Sequence, residues 1–101
     1  MKSGIELISE ERERQIIEER WTSVHDDSHN KGELVLAAHC YITDSVFAWP
    51  WDIEWYKPKD RIKNLVRAGA LLAAELDRIQ RLIKNEEPIV SNEETDCSSN
   101  V

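Results

Sequence analysis

Within residues 25–33 the chain gathers His25, Asp26, Asp27, His29 and Glu33, groups that can bind a metal ion or move a proton. On a helix, His25, His29 and Glu33 recur every fourth residue and share one face. His25, His29 and Glu33 would offer a transition metal two imidazoles and a carboxylate. Asp26, Asp27 and Glu33 would offer Mg²⁺ or Mn²⁺ a set of oxygens. Mg²⁺ or Mn²⁺ is expected ahead of Zn²⁺. Glu33, Asp27 and His25 are the candidate catalytic groups, placed to activate water beside the ion. The competing reading is structural: Asp26 or Asp27 caps the following helix and the histidines are solvated.

A second group of residues bears on phosphate. Lys57, Lys59, Arg61, Lys63 and Arg67 are interrupted by one acid, Asp60. Bases at the start of a helix oppose its dipole, a cost that a bound anion would offset. Lys57, Lys59, Arg61 and Arg67 are therefore candidates to neutralise phosphate, and Trp51 and Trp55, just before them, to stack on a base. A solvated helix start explains the same run without a ligand. Acids, bases and indoles together point to a nucleotide held with a divalent metal. His39 lies on another face, and Cys40 reads as a core thiol. Glu11 or Glu18 must reach Glu33, and the basic run must face the cluster, for this reading to hold.

The elements that carry these residues are helical. With 3 Gly and 3 Pro in 101 residues there is little material for the turns of an all-β fold. The length suits one domain. Two cysteines, one near the end of the chain, make no disulfide framework, and a reducing cytoplasm is expected. No apolar run reaches the ~18 residues of a membrane span, and the start lacks the apolar core of a signal peptide. The net charge is −7, yet residues 85–101 hold five acids and no base. The remainder is nearly balanced, so extended nucleic acid is not an expected partner, while a nucleotide or a host protein is.

Ser9 is the expected cap of a charged first helix running to about Arg20 or Trp21. A buried second helix follows over 33–42, opened by Gly32-Glu33. Residues 43–58 form an aromatic connector, too rich in proline to be one helix. The strongest periodicity is over 59–84, where Ile62, Gly69, Leu76 and Ile83 fall seven apart and Leu65, Leu72 and Ile79 lie between. That helix is about 36 Å long, more than two short helices can cover, so a homodimer is expected. The expectation is an all-α fold: a small bundle of three main helices over 1–84, a Trp-rich connector, and a disordered acidic tail over 85–101.

The ordered pattern Glu11-Arg12-x-Arg14-Gln15, Trp21-Thr22, His25-Asp26-Asp27-x-His29, Gly32-Glu33-Leu34, Trp49-Pro50-Trp51 and Trp55-x-Lys57-Pro58 resembles a family of small proteins encoded by phages and prophages. The likeness covers about residues 8–84, and Arg20 stands where that family usually has glycine. It implies a protein of the host cytoplasm and no particular activity. More distantly, the layout is similar to the all-α nucleoside triphosphate pyrophosphohydrolases of the MazG type, which hold Mg²⁺ on helical carboxylates. That resemblance implies pyrophosphohydrolysis with Glu33 in the acidic helix. The Glu-Glu-x-x-Glu spacing of that family is absent. The alternative is a non-enzymatic accessory protein that binds or inhibits a host protein through its tryptophans.

Overall fold

A computed structural model describes residues 1–86. Among them the chain forms α1 (Gly4–Ile17), α2 (Ser23–Asp27), α3 (Glu33–Thr43), a 3₁₀ turn at Ile53–Trp55, and α4 (Arg61–Glu86). The fold is all-α, with three main helices and a Trp-rich connector. The tail expected to be disordered lies, from residue 87 onward, outside the described residues. No described helix is long and apolar enough to cross a membrane.

The cap of α1 is Ser3, not Ser9. Ser3 Oγ accepts from the Glu6 N–H at 3.1 Å, and Glu6 Oε1 accepts from the Ser3 N–H at 2.8 Å. This reciprocal pair satisfies two otherwise orphaned donors, more than a lone serine can. The helix also stops earlier than expected, at Ile17. Arg20 then takes a left-handed conformation, φ 65°, and the Trp21 N–H turns back to the Gln15 carbonyl at 3.0 Å. That backbone suits glycine and costs a side chain such as arginine about 1 kcal/mol.

Thr22 caps α2, its Oγ1 accepting from the His25 N–H. The helix that follows the two acids, α3, has Gly32 as its N-cap, so Asp26 and Asp27 do not cap it. Gly32, at φ 84°, makes the turn into α3, a conformation that any Cβ would strain. Asp60 opens α4 by accepting from the Lys63 N–H at 2.9 Å.

α4 is the central element, with α3 and α1 packed along it. The core joins Leu34, Ala37, Ala38 and Tyr41 of α3 to Ala68, Leu71 and Ala74 of α4. On the α1 side, Ile8 sits where a side chain at position 69 would be: a Cβ on Gly69 would lie 2.5 Å from Ile8 Cδ1. Gly69 thus serves close approach, as its place in the seam suggests. The rest of the seam packs only in part within the chain, and Leu65, Leu72 and Ile79 are still 38–42% exposed. Ile62, Leu76 and Ile83 are 67%, 61% and 51% exposed. Alanines occupy the inner faces because small side chains let two backbones close up, and the bulkier stripe faces away from α3.

The connector folds back on the core. Trp21, Trp49, Trp51 and Tyr56 are half-buried against it, while Phe47 and Trp55 remain exposed. Tyr56 donates its O–H to the Cys40 carbonyl, and Tyr41 Oη accepts from the Lys57 N–H at 3.2 Å. Tyr41, Trp49, Trp51 and Tyr56 form a chain of rings with centroids 5.0–5.7 Å apart. Such edge and tilted contacts hold a loop that has little regular hydrogen bonding.

Candidate functional site

The site begins with a buried carboxylate. Asp26 is fully buried, and its Oδ2 accepts from Arg12 Nη2 of α1 at 2.8 Å. Its Oδ1 lies 3.1 Å from His25 Nδ1. In the tautomer with its proton on Nδ1, His25 donates to this carboxylate and Nε2 is left a lone pair. The lone pair faces His29 Nε2 across 3.4 Å. One turn of α2 and the bend after it bring the two imidazoles together, as the four-residue spacing suggests.

Rings enclose this pair. Trp21 stacks on His25, centroids 5.7 Å apart and planes 3° from parallel. His29 meets Trp51 at 5.0 Å. Burial, together with the nearby His25, pushes the His29 pKa below its ordinary value, against the opposite pull of Glu33 and Asp26. The histidines are thus half-buried and packed on indoles at the edge of a cleft, and neither side chain caps a helix.

An open cleft of about 920 Å³ leads from the imidazoles. All four tryptophans of the chain line it, with Glu18, Glu19 and Asp52, and Arg20 is its one strong base. Of the residues singled out in the sequence, the cleft takes His25, His29, Trp51 and Trp55, and Asp26 stands behind it.

The others lie elsewhere. Asp27 Oδ1 accepts from Arg81 Nη2 at 2.7 Å and ties α2 to α4. Glu33 Oε1 accepts from the Lys31 N–H at 2.8 Å, which holds its carboxyl below the usual range. Glu11 is engaged by Arg14 at 2.8 Å and by Arg67 at 3.6 Å. Burial pushes its pKa up, but these partners outweigh that and keep it low. Glu18 lines the cleft, and it too is paired with Arg14, at 3.6 Å. No cluster of three or more metal-binding side chains forms among the described residues.

Part of the basic run is also spoken for. Arg61 Nη1 donates to the Ile42 carbonyl at 2.7 Å at the end of α3. Arg67 donates to the Lys57 carbonyl and lies over the Tyr41 ring at 5.4 Å. The Lys57 ammonium stands over the Trp55 ring at 5.5 Å. Lys59 uses its N–H on Asn64 Oδ1. Arg61 ties α4 to α3 and Arg67 ties it to the connector, the Lys59 side chain is exposed, and none of these bases lines the cleft.

Sequence reasoning missed Arg12, Trp21 and Trp49. A signal was present for Arg12, the arginine on α1 that could answer a buried acid. Trp21 and Trp49 are brought to the site by tertiary folding alone. The chain matches no known protein-family model, no curated protein and no solved structure, so the site is read from its own geometry.

Proposed function

We propose that the protein is a non-enzymatic binding module whose tryptophan cleft receives a cationic side chain from a partner protein. The observation that carries this reading is the lining of the cleft: four indoles with Asp52, and with Glu18 and Glu19, which Arg14 meets from α1 at 3.6 and 3.1 Å, against one lining base, Arg20. Indole faces attract ammonium and guanidinium groups, and flanking carboxylates add to that attraction. The net charge of −7 favours encounter with a basic partner. In the phage setting that the sequence resembles, the partner would be a host protein. Tryptophan emission titrated with a lysine- and arginine-rich peptide tests it. Saturable change is expected, weakened about tenfold or more by Trp51→Ala. An acidic peptide that binds as well as the basic one would overturn the proposal.

One distance favours a second reading, metal-assisted nucleotide binding or pyrophosphohydrolysis. Two imidazole nitrogens on one tetrahedral ion, each about 2.0–2.1 Å from it, stand about 3.3–3.4 Å apart. His25 and His29 Nε2 are 3.4 Å apart. Asp26 behind His25 is the kind of partner that orients a ligating imidazole. An imidazole pair suits Zn²⁺ or Ni²⁺, whereas the Mg²⁺ or Mn²⁺ expectation requires carboxylates that Arg12, Arg81 and the Lys31 N–H already engage. Trp51 and Trp55 would stack a base, and Arg20 alone would meet phosphate within the cleft. Calorimetry with Zn²⁺, Mn²⁺ and Mg²⁺, followed by a screen of nucleoside triphosphates, separates the two readings. Zn²⁺ binding lost in His29→Ala, with nucleotide turnover, would favour the second.

A further inference from the structure

The exposed stripe on α4 has an unbroken heptad rhythm. Ile62, Leu65, Gly69, Leu72, Leu76, Ile79 and Ile83 are spaced alternately three and four residues apart. The six large side chains are 38–67% exposed. On one flank, Val66, Ala73 and Gln80 follow the stripe and carry no charge. From Ile62 to Ile83 the stripe runs about 32 Å and is about 10 Å wide. Single exposed leucines are ordinary; a continuous row on one helix is not.

We propose that this stripe is the interface of an antiparallel homodimer, with the same stripe of a second copy as its occupant. The proposal is independent of the cleft and of what the cleft binds. A heptad stripe packs best against a helix of the same period, with knobs of each entering holes of the other. Every copy of the chain supplies one such helix. Of the other main helices, α3 packs on another side of α4 and α1 meets the stripe at Gly69, and both are too short to span it. Residues 87–101 contain only Ile89, Val90 and the terminal Val101 as large aliphatics and have no heptad.

Area supports the same occupant. Two stripes face to face bury about 600 Å² in total, short of the ~1,000 Å² of a specific interface. α1 supplies more beside Gly69. There Ile5, Ile8, Ile16 and Ile17 line an open groove of about 530 Å³ with Ala73 of α4. A symmetric pair brings two such flanks to one interface.

Charge sets the direction. The start of α4 is basic, and Lys59 and Lys63 are exposed with no ion pair among the described residues. The other end of α4 carries the exposed Lys84, and the sequence then runs through Glu86, Glu87, Glu93, Glu94 and Asp96 with no further base. Antiparallel pairing sets the basic end of each helix beside the point where the acidic stretch of its partner begins. Parallel pairing would set basic end beside basic end and acid beside acid.

Sedimentation equilibrium of the full chain tests the proposal. A dimer is expected in the micromolar range, with Leu76→Glu weakening it at least ~100-fold while the helical circular dichroism persists. Mixing Leu76→Glu with Leu76→Lys restores a dimer, which keeps the test sound if either variant is less stable. Replacing Glu93, Glu94 and Asp96 by their amides weakens the dimer about tenfold at low salt, an effect that high salt removes. A wild-type monomer at about 100 μM, or a Leu76→Glu dimer as tight as the wild type, overturns the interface. A tighter dimer in the amide variant overturns the antiparallel order.

Discussion

One side of α4 presents Asn64, Ala68, Leu71 and Glu75 and is buried, while Leu65, Leu72, Leu76 and Ile79, around the same helix, are 38–61% exposed. The exposed side is the more hydrophobic of the two. What separates them is size. Alanines on α4 meet Ala37 and Ala38 of α3, and backbones that close can exclude water with little side-chain volume. Bulky residues at those positions would hold the helices apart. The small face therefore serves folding of the chain, and the large face is left for something outside it.

This contrast can be broken most forcefully at Leu71. Leu71→Ala opens a cavity in a core that has few large side chains and is expected to cost about 3 kcal/mol. Leu76→Ala should change the unfolding free energy of the single chain by less than about 0.5 kcal/mol. Urea unfolding of both at low protein concentration checks the difference. Equal losses would mean that the stripe also holds the fold.

Gly69 lies where the two faces meet α1. Gly69→Val drives a branched side chain into Ile8, and a loss of about 2 kcal/mol is expected, with part recovered in the pair with Ile8→Ala. A double-mutant cycle in thermal unfolding measures that coupling. Away from both faces, Arg20→Gly relieves a left-handed backbone and should stabilise by about 1 kcal/mol. It should leave the oligomeric state unchanged, which separates folding from assembly.

The smallest expected effect is on pH dependence. His29 gives up its proton more readily in the folded chain than in the unfolded one. The unfolded chain then binds more protons below the ordinary histidine value of 6.5, so stability is full above it. Stability falls as pH drops through the lower folded value. His29→Gln should flatten that part of a melting-temperature profile. Glu11 and Glu33, both held low, add a separate loss in the carboxylate range.

Much of the fold was legible because helices declare themselves locally. Gly32-Glu33 marked the start of α3, and the periodicity over 59–84 marked α4. The start of α1 was legible too, in the spacing of Ser3 and Glu6, but Ser9 before a pair of glutamates was the louder signal. The partner of each α4 face was not legible. Spacing reports which residues share a side of a helix; it does not say which side meets another helix of the same chain. The site divided in the same way. The imidazoles meet because one turn of helix brings them together. Asp27, Glu33 and Arg67 are neighbours of the cluster in sequence or in chemistry, yet Arg81, the Lys31 N–H and Tyr41 claim them. Such claims are settled by tertiary packing.

The parallel stacking of Trp21 on His25 gives the cleft an optical consequence. A metal ion or a cationic side chain arriving at the imidazole pair meets a ring already stacked on Trp21, so its arrival alters the surroundings of that indole and registers as a change in emission, without any added label.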